Sequence, residues 1–145
     1  MRIRDLLQPQ DLLMLDEGAT VFEAARAMSA KKVGAVIVTA DGGRLAGIFT
    51  ERDLMSRVVV AGKDVERTKL ADVMTREVYR VEPHVEVAIV RVELQRRHIR
   101  HLPVVVADRL VAVLSLRDIL RADLEKMSHE VEELENYFLG GQEPA

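Results

Sequence analysis

One ten-residue stretch of this chain occurs twice, first as Leu45-Ala46-Gly47-Ile48-Phe49-Thr50-Glu51-Arg52-Asp53-Leu54 and 65 positions later as Leu110-Val111-Ala112-Val113-Leu114-Ser115-Leu116-Arg117-Asp118-Ile119. The similarity extends upstream, where Val33-Gly34-Ala35-Val36-Ile37-Val38 aligns with Ile99-Arg100-His101-Leu102-Pro103-Val104 at an offset of 66. The one-residue difference falls in the turn Asp41-Gly42-Gly43-Arg44, where length changes are tolerated. The chain is therefore a tandem repeat of one small unit.

Both copies show the same order of hydrophobic patterns, which predicts a β-α-β-β-α unit with a small sheet flanked by helices. The predicted strands are Leu12–Leu15, Ala35–Thr39 and Leu45–Phe49 in the first copy, and Val78–Val81, Leu102–Val106 and Leu110–Leu114 in the second. The predicted helices are Thr20–Lys31 and Glu86–His98, and a closing helix begins at Thr50 and at Ser115. We expect one domain over residues 1–62, a second over 63–122, and a C-terminal helical extension and tail over 123–145.

Composition places the chain among folded, water-soluble proteins. It has 145 residues, of which 48% are hydrophobic and 31% charged, and its net charge is -3. It contains no cysteine, which excludes disulfides, thiolate nucleophiles and cysteine-based metal sites. The charged N-terminus and the absence of a long apolar run predict a cytoplasmic protein without a membrane segment.

The final helix carries an apolar seam longer than the repeat unit. Its members are spaced alternately four and three residues apart, and they are Leu120, Leu124, Met127, Val131, Leu134 and Phe138. Gly140-Gly141 is a suitable helix stop. This heptad-type spacing predicts a homodimer through the seam, and the alternative is an amphipathic helix packed on its own domain.

The repeated polar positions admit two interpretations. Thr50 with Asp53, and Ser115 with Asp118, each match a capping box at a helix N-terminus, which requires no ligand. A capping box does not require the arginine that stands between hydroxyl and acid in both copies, Arg52 and Arg117. Their duplication favours a binding role.

These motifs, together with Ile99-Arg100-His101-Leu102-Pro103-Val104-Val105 and Val73-Met74-Thr75, resemble the cystathionine β-synthase (CBS) domain family over essentially residues 1–122. Members occur as tandem pairs, often called Bateman modules. The resemblance implies an α/β (α+β) fold, with two domains related by a pseudo-two-fold axis and two clefts that commonly hold AMP, ADP, ATP or related adenosyl ligands.

The resemblance also implies which residues bind. Asp53 in one cleft and Asp118 in the other would accept the ribose hydroxyls, and Thr50 and Ser115 would offer a hydroxyl to phosphate at a helix N-terminus. The phosphate chain would be neutralised by four basic residues, namely Arg52, Arg100, His101 and Arg117. The resemblance also places Ile99, directly before Arg100, among the ligand-binding residues. Gly47 would allow a ligand to approach the backbone. Because Ala112 replaces this glycine in the second copy, we expect Asp118→Ala to weaken binding less than Asp53→Ala.

Other functions have weaker support in the sequence. The basic run Arg96-Arg97-His98-Ile99-Arg100-His101 fits a phosphate site, a solvated helix end or, less well, a nucleic-acid contact, for which no recognition motif is present. His98 with His101, or His129 with Glu133, lacks a third ligand, so no metal site is expected. No catalytic motif was found, so the chain is not expected to be an enzyme.

The sequence therefore predicts a regulatory module that binds an adenine nucleotide, without a tightly bound cofactor, and acts in signal transduction through a separate regulated protein. The alternatives are a structural dimerisation protein without a ligand, and a module that binds S-adenosyl or NAD-type ligands.

Overall fold

The computed structural model describes residues 1–140, which contain a five-stranded sheet and five α-helices. The strands are β1 (Met14–Asp16), β2 (Ala35–Ala40), β3 (Arg44–Thr50), β4 (His101–Val106) and β5 (Arg109–Ser115). The helices are α1 (Val21–Lys31), α2 (Glu51–Asp53), α3 (Leu70–Val73), α4 (Val87–Arg97) and α5 (Leu116–Gly140). The predicted mixed α+β class is confirmed. Gly141, the second half of the predicted helix stop, lies outside the described residues.

The sheet has the strand order β1-β2-β3-β5-β4. Strand β1 runs parallel to β2, with Met14 opposite Ile37, and β2 runs antiparallel to β3, with Val36 opposite Phe49. Four of the predicted strands are observed within one residue of their expected ends, whereas β1 begins two residues later than expected.

The predicted strand Val78–Val81 is wrong, because only Val81 pairs, with Val104. The Val81 N–H donates to the Pro103 carbonyl at 3.2 Å, and the Val105 N–H donates to the Val81 carbonyl at 2.9 Å. The next bond of a parallel ladder would need an N–H from Pro103, which proline lacks. The ladder therefore ends after one residue.

Capping contacts define the start of α1 and the ends of α1 and α4. The Thr20 hydroxyl accepts from the Glu23 N–H at 3.2 Å, while the Glu23 carboxylate accepts from the Thr20 N–H at 2.9 Å. Lys32 caps the end of α1 and His98 caps the end of α4, and these residues occupy equivalent positions of the repeat. Both adopt a left-handed conformation with φ of 55°.

The chain forms two compact units. The strand-rich unit comprises residues 9–83 and 103–113, and the helix-rich unit comprises residues 1–8, 84–102 and the segment from 114 onward. In the strand-rich unit, buried side chains of α1, the sheet and α3 form the core, including Val21, Val38, Phe49 and Leu70. In the helix-rich unit, the buried side chains include Ile3, Val90, Leu94 and Ile119.

Each unit contains the leading segment of the other sequence repeat. The Ile3 N–H donates to the Val85 carbonyl, and the equivalent Leu70 N–H donates to the Ala19 carbonyl, both at 2.9 Å. The compact units therefore group the chain differently from the two sequence repeats.

Among residues 1–140, no helix is both long and apolar enough to cross a membrane.

Candidate functional site

The two repeats build the same backbone frame around their polar motifs. The Glu51 N–H donates to the Gly34 carbonyl at 3.0 Å, and the equivalent Leu116 N–H donates to the Arg100 carbonyl at 2.8 Å. This bond fixes the start of each closing helix beside the loop that follows the preceding helix.

Both predicted capping boxes are present. The Asp53 N–H donates to the Thr50 hydroxyl at 3.2 Å, and the Thr50 N–H donates to the Asp53 carboxylate at 3.0 Å. In the second copy both corresponding distances, between Ser115 and Asp118, are 3.0 Å. The surroundings of the two carboxylates differ, however.

Asp53 is buried, with 6% of its surface exposed, and its own chain occupies its oxygens. Besides the capping bond, both oxygens are within 3.3 Å of the Thr75 hydroxyl, which donates to them. The Arg57 guanidinium lies 3.6 Å from Oδ1. Thr75 and Arg57 were not predicted to meet Asp53, because they approach it from another loop and from the irregular helical turn that follows α2.

Gly47 packs against its own chain as well. Thr75 and Ile48 exchange backbone hydrogen bonds of 2.9 Å in both directions, which places the Met74–Thr75 segment over the glycine. A Cβ added at Gly47 would lie 2.5 Å from the Thr75 carbonyl oxygen and 2.9 Å from the Met74 sulfur. The absence of a side chain at Gly47 therefore allows the Thr75 backbone to approach closely.

The second copy presents a different environment. Asp118 is exposed, and among residues 1–140 its only recorded side-chain hydrogen bond is the capping bond through Oδ2. The other oxygen, Oδ1, is available to an incoming hydroxyl donor.

Beside this motif the helix-rich unit contains a cleft of about 780 Å³. It is lined by four basic side chains, three leucines of α5 and one hydroxyl, namely Arg100, His101, Arg117, Arg121, Leu116, Leu120, Leu124 and Ser115. The volume lies within the range of small-molecule sites. Four of the predicted site residues thus meet in one cleft, whereas Ile99 and Asp118 are not among its lining residues.

The cleft is electropositive. No ion pair is recorded for Arg100, Arg117 or Arg121 within the part of the chain that the structure describes. Burial lowers the pKa of His101 below its ordinary value, and the neighbouring Arg100 guanidinium lowers this pKa further. The imidazole is therefore neutral at pH 7.

Sequence reasoning missed the cleft residues on the second turn of α5. Arg121 follows Arg117 by four residues and Leu120 follows Leu116 by four, so each pair shares a helix face. That spacing is visible in the sequence and could have identified them. Arg52, by contrast, is exposed in the strand-rich unit.

No group of three or more histidine, aspartate or glutamate side chains suited to a metal ion was found within residues 1–140. The sequence-based expectation about metals stays a prediction.

Comparisons with known proteins identify the family. The CBS domain model matches the chain twice, at residues 3–60 and 70–125. The mitochondrial CBS domain-containing protein CBSX3 of Arabidopsis thaliana is 33% identical over 126 residues, which cover 84% of this chain and 61% of CBSX3. Arabinose 5-phosphate isomerase KdsD of Yersinia pestis is 33% identical over 123 residues, which cover 84% of this chain but only 37% of the enzyme.

Two solved structures extend the comparison. A CBS-domain-containing protein from Agrobacterium tumefaciens has a TM-score of 0.75 and 30% identity, covering 85% of this chain and 99% of its own. A hexameric CBS-CP12 protein from bloom-forming cyanobacteria has a TM-score of 0.70 and 26% identity, covering 83% of this chain and 70% of its own. From the duplicated motif, the fold and these matches together, the chain belongs to the CBS domain family and contains a tandem pair of CBS domains.

Proposed function

We propose that this chain is a regulatory module that binds an adenine nucleotide, of the AMP, ADP or ATP type, in the cleft of the helix-rich unit. The observation that carries this proposal is the convergence of three arginines and a histidine on a cleft whose remaining lining is three leucines and Ser115. Such a cleft suits a ligand with one anionic end and one flat apolar end.

Each part of a nucleotide has a matching partner there. Phosphate oxygens accept from the guanidinium groups of Arg100, Arg117 and Arg121, and from the N-terminus of α5, where the helix dipole favours an anion. The adenine ring lies against the α5 leucines. Asp118 follows the lining residue Arg117 in the chain, and its Oδ1 accepts from a ribose hydroxyl of the bound nucleotide. In this proposal the second copy holds the stronger site, which reverses the order expected from Ala112.

The signal is transmitted because the nucleotide binds one conformation of the module more tightly than another, and a separate partner protein recognises that conformation. We further propose that the module acts as a homodimer in the cytoplasm. The cyanobacterial relative described as hexameric supports assembly into oligomers.

A ligand-free structural protein is the second candidate, and the two capping boxes favour it. They account for Thr50, Asp53, Ser115 and Asp118 without any ligand. They do not account for the three arginines of the cleft, for which residues 1–140 provide no ion pair.

Calorimetric titration with AMP, ADP and ATP tests the nucleotide proposal, with NAD and S-adenosylmethionine as competing adenosyl ligands. We expect Arg117→Gln to weaken nucleotide binding about tenfold, because a charge-assisted hydrogen bond contributes about 1.5–3 kcal/mol and 1.4 kcal/mol is about tenfold. The matched control is Arg67→Gln, since Arg67 is exposed and pairs only loosely with Asp64, at 3.8 Å. No binding of any adenosyl ligand to the unmodified chain would favour the structural candidate, and tighter binding of NAD would change the ligand class.

His101 gives the proposal a pH signature. Its pKa is lowered in the free protein, and an anion beside the ring favours the imidazolium form, so binding raises the pKa and takes up a proton. Proton uptake makes binding tighter as the pH falls from 8 towards 6, by at most about tenfold for each unit of pKa change.

Titrations in two buffers with different ionisation enthalpies measure this proton uptake. Because the nucleotide phosphate itself titrates near pH 6, the informative quantity is the difference between the unmodified chain and His101→Gln. We expect the variant to lose the His101 contribution. Equal proton uptake by both proteins would show that His101 does not meet the phosphate.

A further inference from the structure

The last sixteen described residues of α5 are exposed along their whole length. From Glu125 to Gly140 every residue is exposed. A helix without tertiary packing is only marginally stable in water, and most helices in proteins depend on a packed apolar face. Among residues 1–140, the segment therefore lacks the tertiary contacts that normally stabilise such a helix.

The exposed segment continues an apolar seam that begins at the cleft. The six seam residues named above are exposed by 37% at Leu120, 64% at Leu124, 59% at Met127, 53% at Val131, 57% at Leu134 and 66% at Phe138. The seam therefore faces solvent, and the predicted alternative of packing on its own domain is wrong for residues 125–140. Alternating steps of four and three residues fit the contact line of a two-helix coiled coil.

Charges beside the seam determine which direction of pairing is compatible with a second copy. The residues that flank a coiled-coil seam are Arg121, Ser128 and Glu135 on one side, and Asp123, Glu130 and Tyr137 on the other. In a parallel pair each Glu130 would lie next to the partner subunit's Glu135, so two like-charge contacts form and no attractive one does.

In an antiparallel pair centred near residue 129 the seams remain in register. Leu120 then packs against the partner subunit's Phe138, and Leu124 packs against the partner subunit's Leu134. Each Arg121 then lies next to the partner subunit's Glu135, so two attractive contacts form. Only one repulsive contact forms, between Glu130 and the partner subunit's Glu130, so the charges favour the antiparallel pair over the parallel one.

We propose that α5 pairs antiparallel with α5 of a second copy, and that the partner helix completes the cleft. Leu120, Leu124 and Arg121 belong both to the seam region and to the lining of the cleft. The partner subunit's Phe138 and Glu135 therefore lie at the edge of each cleft. The pairing of the two helices does not depend on the proposed function. The contribution of the partner helix to nucleotide binding rests on the proposed function.

Disulfide formation tests the direction of pairing without nucleotide. The chain has no cysteine, so Leu124→Cys and Leu134→Cys each introduce a single thiol. We expect a mixture of the two variants, one of them enlarged by a tag, to form the mixed disulfide under mild oxidation. Positions 124 and 134 are about 15 Å apart along a helix, so a parallel pair cannot form this bond and would instead link each variant to itself. Either self-linked products or the absence of any disulfide would overturn the proposal.

Charge reversal provides a second measurement, because both positions are exposed and tolerate substitution. Glu135→Lys should weaken dimerisation about tenfold in light scattering, and the double variant Arg121→Glu/Glu135→Lys should restore it. The matched control Glu132→Lys changes a charge away from the seam and should leave dimerisation unchanged. Equal effects of Glu135→Lys and Glu132→Lys would contradict the pairing.

The contribution to the cleft is measured by AMP titration. Phe138→Ala should weaken AMP binding several-fold, whereas Leu139→Ala, at an equally exposed position beside the seam, should not. Unchanged AMP affinity in Phe138→Ala would contradict the contribution of the partner helix to the cleft. The disulfide experiment would then remain the test of the pairing itself. Absence of AMP binding in the unmodified chain contradicts the nucleotide proposal and with it the shared cleft, while a mixed disulfide would still support the pairing.

Discussion

Gly47→Ala is expected to lower the free energy of unfolding by about 3 kcal/mol, at the upper end of the usual cost of overpacking. The added Cβ would meet the Thr75 carbonyl oxygen at 2.5 Å, a distance that unstrained atoms do not adopt. The obstacle is backbone, held in place by two hydrogen bonds between Thr75 and Ile48. It cannot move aside as the end of a flexible side chain would.

Urea unfolding checks this prediction through a lower midpoint at an unchanged dependence on urea concentration. Gly34→Ala is the matched control, because its Cβ would meet only the flexible Glu51 carboxylate, at 3.4 Å. We expect this control to be neutral or slightly stabilising, since alanine restricts the unfolded chain. A stable Gly47→Ala variant with reduced nucleotide affinity would instead support the ligand-approach role implied by the family resemblance.

Much of the fold could be predicted from sequence because its signals are local. The Thr20 and Glu23 capping box, the apolar runs of the strands and the repeated Thr50 and Ser115 helix starts each depend on residues close together in the chain. The structure places these elements where the patterns indicate.

The features that the sequence does not predict arise where distant residues decide the outcome. The apolar run Val78–Val81 resembles a strand, but its neighbour presents Pro103, which cannot continue the ladder. The exchange of leading segments between the units depends on Ile3 meeting Val85 and Leu70 meeting Ala19, contacts that no local pattern encodes.

The candidate site also combines features that the local sequence predicts with features that distant residues determine. The sequence motif makes Asp53 and Asp118 equivalent, and the structure confirms identical capping roles. What differs is the rest of each environment, since Thr75 and Arg57 contact only Asp53. A repeated motif therefore predicts repeated local geometry, but it does not predict whether both copies remain open to a ligand.

Asp53→Ala is expected to lower the free energy of unfolding by about 1–4 kcal/mol. The substitution removes the acidic residue of the capping box, which costs about 0.3–1 kcal/mol, and leaves the half-buried Thr50 N–H and Thr75 hydroxyl without their partner, which costs about 1–3 kcal/mol more. Asp53→Asn retains one carbonyl acceptor and should recover part of this loss. Urea unfolding of both variants measures the difference.

The matched variant Asp118→Ala separates stability from binding at the equivalent position of the repeat. Asp118 is exposed and its side chain makes only the capping bond within the described part of the chain, so the free energy of unfolding should fall by less than about 1 kcal/mol. Because its free oxygen is the proposed ribose acceptor, its loss should weaken AMP binding about tenfold. Asp53→Ala, measured where it remains folded, should bind AMP with almost unchanged affinity. If Asp53→Ala lost affinity and Asp118→Ala did not, the nucleotide would bind beside Asp53, and the Met74–Thr75 segment would have to move to admit it.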